Sequence, residues 1–165
     1  MAGELEAWRQ WLRQHGAALF LFARQWTANR ADAEDAVQMG FLKFWQRRSR
    51  AADQVAYLYS CVRSAALDQG RTDRRRSARE KSTAQDEELM FDFPVERGQR
   101  QEMIEAALGQ LPADQREVVV LKIWAGLTFA QIADALNIPL NTAASRYRYA
   151  LIRLETELSE EVAHD

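Results

Sequence analysis

The stretch 126–154 carries the local signals that most constrain how this chain can fold. Gly126 can end one helix with a positive φ, which glycine adopts without strain. Thr128 and Gln131 have the spacing of a capping box, which should start the next helix sharply. This short helix, 129–136, should then end at the Asn-Ile-Pro sequence that follows it, because the residue before a proline avoids helical geometry.

A second helix is predicted from about 141 to 158, and its residues divide between two faces. Ala143, Tyr147, Ala150 and Leu154 recur at helical spacing and form an apolar row. The other face carries polar groups, arginines and one tyrosine: Asn141, Thr142, Ser145, Arg146, Tyr149 and Arg153. This arrangement is typical of a helix-turn-helix, whose second helix enters the DNA major groove. The alternative is an ordinary helical hairpin whose arginines are only a solvated face.

Composition excludes several classes of protein. The chain has 165 residues, 47% of them hydrophobic and 28% charged, with 7 Gly and 3 Pro, which does not suit collagen, a β-barrel or a β-sandwich. Apolar runs are far shorter than the ~18 residues of a membrane span, and the first residues lack the pattern of a signal peptide. We therefore expect a cytoplasmic protein with no membrane insertion. A single cysteine, Cys61, fits a reducing compartment.

Neither a metal centre nor a catalytic site is expected. His15 lies in the apolar stripe of the first helix and is interpreted as a boundary or core residue, while the other histidine, His164, is in the tail. Histidine-based zinc clusters therefore cannot be assembled. Glycine-rich phosphate loops and HExxH spacing are missing from the sequence. We expect no cofactor and no enzymatic activity.

The predicted fold is all-α, with two small helical domains joined by a linker, and the distribution of charge supports this division. Residues 47–81 contain ten Lys/Arg against four Asp/Glu, whereas 82–105 contain two Arg against seven Asp/Glu. Residues 77–98 also lack a helical stripe, which predicts a flexible acidic linker. The predicted organisation is a helical domain over 1–76, the linker, and a second helical domain over 99–165, in a chain that is monomeric outside a complex.

Three helices are predicted in the first domain, at about 4–27, 29–48 and 53–75. The second has an apolar row that should face the core: Ala33, Ala36, Val37, Gly40, Phe41 and Phe44. Four residues lie largely outside this row: Asp35, Gln38, Met39 and Leu42. Such a mixed outward face is either scattered surface or a docking site for another protein.

Basic and aromatic residues cluster after the second helix and along the third. The candidates are Arg47, Arg48, Arg50, Tyr57, Arg63, Arg71 and Arg74. Tyrosines and arginines around a basic loop suit single-stranded nucleic acid, because bases stack on the rings and cations follow the backbone. A soluble helix end would also explain the arginines, and periodicity leaves both interpretations open. Cys61, within the same helix, is interpreted as a small buried hydrophobe.

The second domain should begin with two further helices. The first is predicted over 99–109, and Pro112 should occupy the first position of the next. Val118 to Leu121 could form a strand on their β-branched content. About fourteen residues separate the proline from Gly126, however, and this is longer than a usual strand, so a helix is predicted.

The order of these pieces resembles the small bacterial sigma factors of the extracytoplasmic-function (ECF) group. Residues 32–48, DAEDAVQMGFLKFWQRR, are similar to the region 2 helix that binds the clamp helices of the largest RNA polymerase subunit. Residues 53–76, which include YLYSCVRSAALDQGRTDRRR, are similar to the segments that melt and read the minus-ten element. Residues 111–154 are similar to region 4, which binds the polymerase flap and the minus-thirty-five element.

The resemblance implies a transcription initiation factor that binds core RNA polymerase and promoter DNA, and that is commonly held by an anti-sigma factor. It implies polymerase contacts at Asp35, Gln38 and Leu42, and at Met39 beside them. It also places Asp68 and Arg71 where the family has its Asp and Arg, and assigns the linker to the polymerase cleft and RNA exit path.

Four positions depart from the family pattern: Tyr57, Ser64, Ala144 and Tyr149. They motivate one alternative, a polymerase-binding or regulator-binding module that has lost promoter opening. A second alternative is a helix-turn-helix DNA-binding transcriptional regulator that does not bind core polymerase.

Overall fold

The computed structural model describes residues 2–77 and 99–164, and within these ranges the regular structure is helical. The α-helices are α1 (Ala2–Arg24), α2 (Arg30–Arg47), α3 (Gln54–Ser77), α4 (Gln99–Gly109), α5 (Ala113–Val119), α6 (Phe129–Leu136) and α7 (Leu140–His164). The chain divides into two compact units, Met1–Val95 and Glu96–Asp165. The predicted all-α fold is confirmed. Apart from Ser77, the predicted linker lies outside the described residues.

The first unit is built on the packing of α2 against α1 and α3. Asn29 caps α2 by accepting a hydrogen bond from the backbone N–H of Asp32 at 2.9 Å. Every residue of the predicted apolar row of α2 is buried, which confirms that row. Asp53 caps α3 by accepting from the backbone N–H of Ala56 at 3.0 Å. A 3-10 turn, Arg48–Arg50, connects α2 to this cap.

A buried polar pair joins α1 to α3. The His15 Nδ1 atom lies 3.1 Å from the Tyr59 hydroxyl, and the ring of Trp11 stacks on the His15 ring with centroids 5.3 Å apart. Burial lowers the pKa of His15 and raises the pKa of Tyr59, because desolvation disfavours the charged form of each group. His15 is thus a core residue, as predicted. Cys61 is also buried, as predicted, and burial raises the pKa of its thiol.

In the second unit, α6 starts and stops where the sequence predicted. The Thr128 Oγ1 atom accepts from the Gln131 backbone N–H at 3.1 Å, and the Gln131 side chain accepts from the Thr128 backbone N–H at 3.0 Å. These bonds form the predicted capping box. Gly126 has φ +69°, and Asn137, with φ 54°, ends α6 in the left-handed region. Two left-handed residues therefore bracket this helix.

Helix α7 packs its predicted apolar row against α5 and α6. Ala143 and Ala150 have no exposed surface, and the ring of Tyr147 meets that of Phe129 edge-on at 5.5 Å between centroids. Helix α7 begins at Leu140 and extends to His164, beyond the predicted end at 158. None of the helices in the two described ranges is long and apolar enough to cross a membrane.

The segment before Gly126 differs in detail from its prediction. Pro112 has an extended ψ of 147° and stands at the N-cap, so that α5 begins one residue later than predicted. Residues 118–121 are helical, as predicted, but Val120–Trp124 form a π-helical turn. Arg116 fixes the turn between α4 and α5, because its side chain donates to the carbonyls of Leu108 and Leu111, each at 2.8 Å.

Candidate polymerase and nucleic-acid interfaces

The outward face of α2 combines polar and apolar side chains. Met39 and Leu42 are 62% and 52% exposed, Asp35 is exposed, and Gln38 is half-buried. One face of the helix is fixed in the core, so these four residues are presented together on the opposite side. Two large apolar side chains with half or more of their surface in water are the kind of pair that a partner protein can cover.

The basic turn after α2 contains two kinds of arginine. Arg47 and Arg50 are exposed. Arg48 instead turns back onto its own unit: its guanidinium carbon lies 3.7 Å from the centroid of the Trp45 ring, and its Nη2 lies 3.5 Å from Glu4 Oε1. Arg50 is therefore available to a ligand, Arg47 is exposed but also interacts with the Tyr57 side chain, and Arg48 stabilises the turn.

The remaining candidates of the first unit lie along α3. Tyr57 is half-buried, with its ring centroid 6.1 Å from that of Phe44. Arg63 is also half-buried and lies over Trp26, with its guanidinium carbon 5.5 Å from the ring centroid. Exposed Arg71 pairs with Asp68 one turn earlier, with 3.9 Å between Arg71 Nη1 and Asp68 Oδ1. Arg74 belongs to α3, but its side chain lies outside the described residues.

The polar face of α7 is accessible along its length. Asn141, Tyr149 and Arg153 are exposed, whereas Thr142, Ser145 and Arg146 are half-buried. The guanidinium carbon of Arg148 lies 5.5 Å from the centroid of the Tyr149 ring, and Arg153 pairs with Glu157 on the same helix at 3.9 Å. The helix thus presents cations and hydrogen-bonding groups to one side, while Ala143 and Ala150 face the core.

Sequence reasoning missed two neighbours of this face. Asp114, from α5, lies with its Oδ2 atom 3.6 Å from Nε of Arg146. Gln115, also from α5, lines an open cleft of about 500 Å³ together with Tyr149 and Arg153. No spacing along the chain could reveal either contact, because both depend on how α5 crosses α7. The contact between Arg148 and Tyr149, by contrast, could have been suspected from the sequence, because the two residues are adjacent and one is basic and the other aromatic.

Among the described residues, no group of three or more His, Cys, Asp or Glu side chains could hold a metal ion. The expected lack of a cofactor stays a prediction.

Comparison with known proteins identifies the family. The Sigma-70 region 2 family model matches residues 11–76, and the Sigma-70, region 4 model matches residues 101–154. The ECF RNA polymerase sigma factor SigL of Mycobacterium tuberculosis is 30% identical over 172 residues, covering 96% of this chain and 93% of that protein. The chain belongs to the ECF RNA polymerase sigma factors. The resemblance seen in the sequence is therefore confirmed, and the comparisons give no support to a regulator that does not bind polymerase.

Two solved structures share the fold of this ECF sigma factor. RpoE of Bartonella quintana, solved with the anti-sigma factor NepR, is 24% identical with a TM-score of 0.69, over 93% of this chain and 98% of that one. CnrH, solved with the cytosolic domain of CnrY, is 23% identical with a TM-score of 0.64, over 96% of this chain and 92% of that one. As a sigma factor, the chain is a transcription initiation factor.

Proposed function

We propose that this ECF sigma factor, acting in the cytoplasm and without enzymatic activity of its own, divides its work among three surfaces. The outward face of α2 binds core RNA polymerase. The basic turn and α3 hold separated promoter strands, and the polar face of α7 reads intact duplex upstream. The observation that carries the proposal is the α2 face, where Met39 and Leu42 remain exposed on a helix whose other side is fully packed.

The polymerase surface is supported by burial energetics. Fully burying a leucine or methionine side chain contributes about 1.5–3 kcal/mol relative to leaving it in water. Met39 and Leu42 still have about half or slightly more of this contribution available, because they are 62% and 52% exposed. Asp35 and Gln38 beside them would supply polar contacts that set the orientation of the partner.

Strand separation is supported by the exposed arginines and the half-buried tyrosine of the first unit. Unstacking bases costs a few kcal/mol per step, while stacking one base on an aromatic side chain returns about 1–3 kcal/mol. Tyr57 is the candidate ring, and Arg47, Arg50, Arg63, Arg71 and Arg74 are the candidate cations for the strand backbone. A few captured bases would therefore hold a short open region.

Duplex recognition is supported by the separation of faces on α7. The side chains of Asn141, Thr142, Ser145 and Arg146 lie near the start of the helix, where recognition helices usually contact base edges. Tyr149 and Arg153 lie on later turns and would contact the adjacent phosphates.

An anti-sigma factor is a further proposed partner. The two structural neighbours were each solved as complexes, one with an anti-sigma factor and the other with a cytosolic domain. An inhibitor that covered the α2 face would compete directly with polymerase and keep this factor inactive.

Reconstitution with core polymerase tests the proposal. Wild-type protein should retain core enzyme in a pull-down, and the holoenzyme should make promoter thymines reactive to permanganate. Asp35→Ala combined with Gln38→Ala should weaken binding to core polymerase without loss of helicity. Gln14→Ala, an exposed change on α1, should leave this binding unchanged. Unchanged affinity of the double variant would reject the α2 face. Core binding without reactive thymines would instead support the module that has lost promoter opening.

A further inference from the structure

Arg146 is the one candidate reading residue of α7 whose charged partner, among the described residues, lies on another helix. Its Nε atom is 3.6 Å from Asp114 Oδ2, and the side chains of Arg146 and Asp114 are 31% and 53% exposed. By contrast, Arg153 pairs with Glu157 on its own helix. The ion pair therefore links Arg146 to α5, while part of the Arg146 side chain remains exposed to solvent.

The position of the carboxylate decides which edge of the guanidinium remains available. The group is planar, and its five N–H donors form a rigid fork. A carboxylate beside Nε leaves the far edge, which carries one N–H from each terminal nitrogen, unblocked. Two parallel N–H donors match the O6 and N7 acceptors that guanine displays in the major groove.

Asp114 can orient Arg146 because Asp114 is itself held in place. Its second oxygen, Oδ1, accepts a hydrogen bond from the Gln115 backbone N–H at 2.9 Å. The helix beneath is fixed, since Val118 and Val119 are fully buried and Arg116 is bonded to the carbonyls before it. A preoriented arginine loses less side-chain freedom when it binds a base than a freely rotating one does.

We propose that Asp114 is a positioning residue that presents Arg146 end-on to one guanine, making a single G·C pair of the upstream duplex element a specificity determinant. This inference rests on the proposed role of α7 in duplex recognition.

The test uses holoenzyme reconstituted with the full chain and a pool of promoter duplexes randomised in the upstream element. Asp114→Asn removes the charge that faces Arg146 but keeps an oxygen that can accept from Gln115. Asp134→Asn, an exposed change on α6, is the matched control because it alters the net charge equally. Arg146→Lys keeps the positive charge but removes the two-donor edge.

Wild type and Asp134→Asn should enrich a G·C pair at one position. In Asp114→Asn and in Arg146→Lys, the preference for G·C over the other base pairs at that position should fall roughly tenfold. A loss of this size corresponds to one bidentate base contact. The other enriched positions and the salt dependence of binding should not change for Asp114→Asn, because the number of phosphate contacts is the same.

Two results would overturn the inference alone: an unaltered preference in Asp114→Asn, or an equal loss of affinity for every duplex with a lowered melting temperature. The second result would show that the ion pair only joins α5 to α7. If wild-type holoenzyme enriched no upstream sequence, the proposed duplex recognition would itself fail, and this inference with it.

Discussion

Gly40 on α2 lies directly against the backbone of Val62 on α3, so that a Cβ atom at Gly40 would stand 2.5 Å from the Val62 Cα. The neighbouring atom is backbone and cannot rotate away, so the two helices would have to separate. Gly40→Ala should therefore lower the free energy of unfolding by about 1–3 kcal/mol, as overpacking does in well-packed cores. Chemical denaturation measures this, with Gly3→Ala on α1 as the control because a Cβ there meets nothing within 4 Å. Equal stability of the two variants would contradict the close approach.

Arg48 and Arg50, two residues apart in the basic turn, should respond differently to truncation. Arg48→Ala removes the stacking on Trp45, which contributes about 0.5–2 kcal/mol, so thermal unfolding should occur at a lower temperature. Arg50→Ala alters an exposed side chain and should change stability by no more than about 0.5 kcal/mol, yet reduce permanganate reactivity at the promoter. If Arg48→Ala kept full stability and lost reactivity as Arg50→Ala does, Arg48 would itself be a DNA contact.

Leu42 should matter for polymerase affinity, whereas its contribution to folding should match that of a similarly exposed leucine elsewhere. Leu42→Ala removes a side chain that is 52% exposed, so the fold should lose only the contribution of the buried half, about 1 kcal/mol. Loss of an interfacial leucine should weaken binding to core polymerase roughly tenfold. Leu5→Ala on α1 is the matched control, since Leu5 is 53% exposed. Fluorescence titration with core enzyme separates the two variants, and equal affinities would remove Leu42 from the interface.

His15 should make the first unit less stable in mild acid. Burial lowers its pKa in the folded state below the ordinary 6.5, so the unfolded chain binds the proton more readily. The stabilisation is therefore complete above about pH 6.5 and is lost as the pH falls through the folded-state value. His15 can change the free energy of unfolding by at most about 1.4 kcal/mol per pH unit.

Replacing each histidine in turn tests this assignment. His15→Asn should flatten the dependence of the free energy of unfolding between pH 7 and 5, whereas His164→Gln, which changes the other histidine of the chain, should leave it unaltered. A slope that survives in His15→Asn would assign the acid sensitivity to carboxylates instead.

Local signals in the sequence were sufficient to predict the helices and the turns on either side of α6. The capping box of Thr128 and Gln131 and the positive φ of Gly126 depend only on neighbouring residues, and both are present as predicted. The apolar row of α2 was also predictable, because a helix with one buried face repeats every three to four residues. Pro112 was misplaced by one position because its fixed φ suits the N-cap as well as the first turn.

The candidate sites were less predictable, because their character depends on contacts between helices. Arg48 lies three residues after Trp45 at the end of α2, so helical spacing could have predicted this contact. The ion pair of Arg48 with Glu4 on α1 could not be predicted in this way, because it depends on how two helices pack. Similarly, the whole of α6 and two left-handed residues, Gly126 and Asn137, separate Asp114 from Arg146 along the chain. Sequence patterns identify which residue types are available, whereas packing decides which of them remain free to contact a ligand.

The two alanines on the buried face of α7, Ala143 and Ala150, have a consequence for how the proposed promoter preference can change. Both lack exposed surface, so a larger side chain at either one would lift the helix and shift its whole outer row together. In the proposed complex with duplex DNA, exchanges on the outer row would alter which bases are chosen, whereas exchanges at the alanines would alter the distance between the helix and the groove. Sequence choice and insertion depth can thus diverge separately among descendants of this chain.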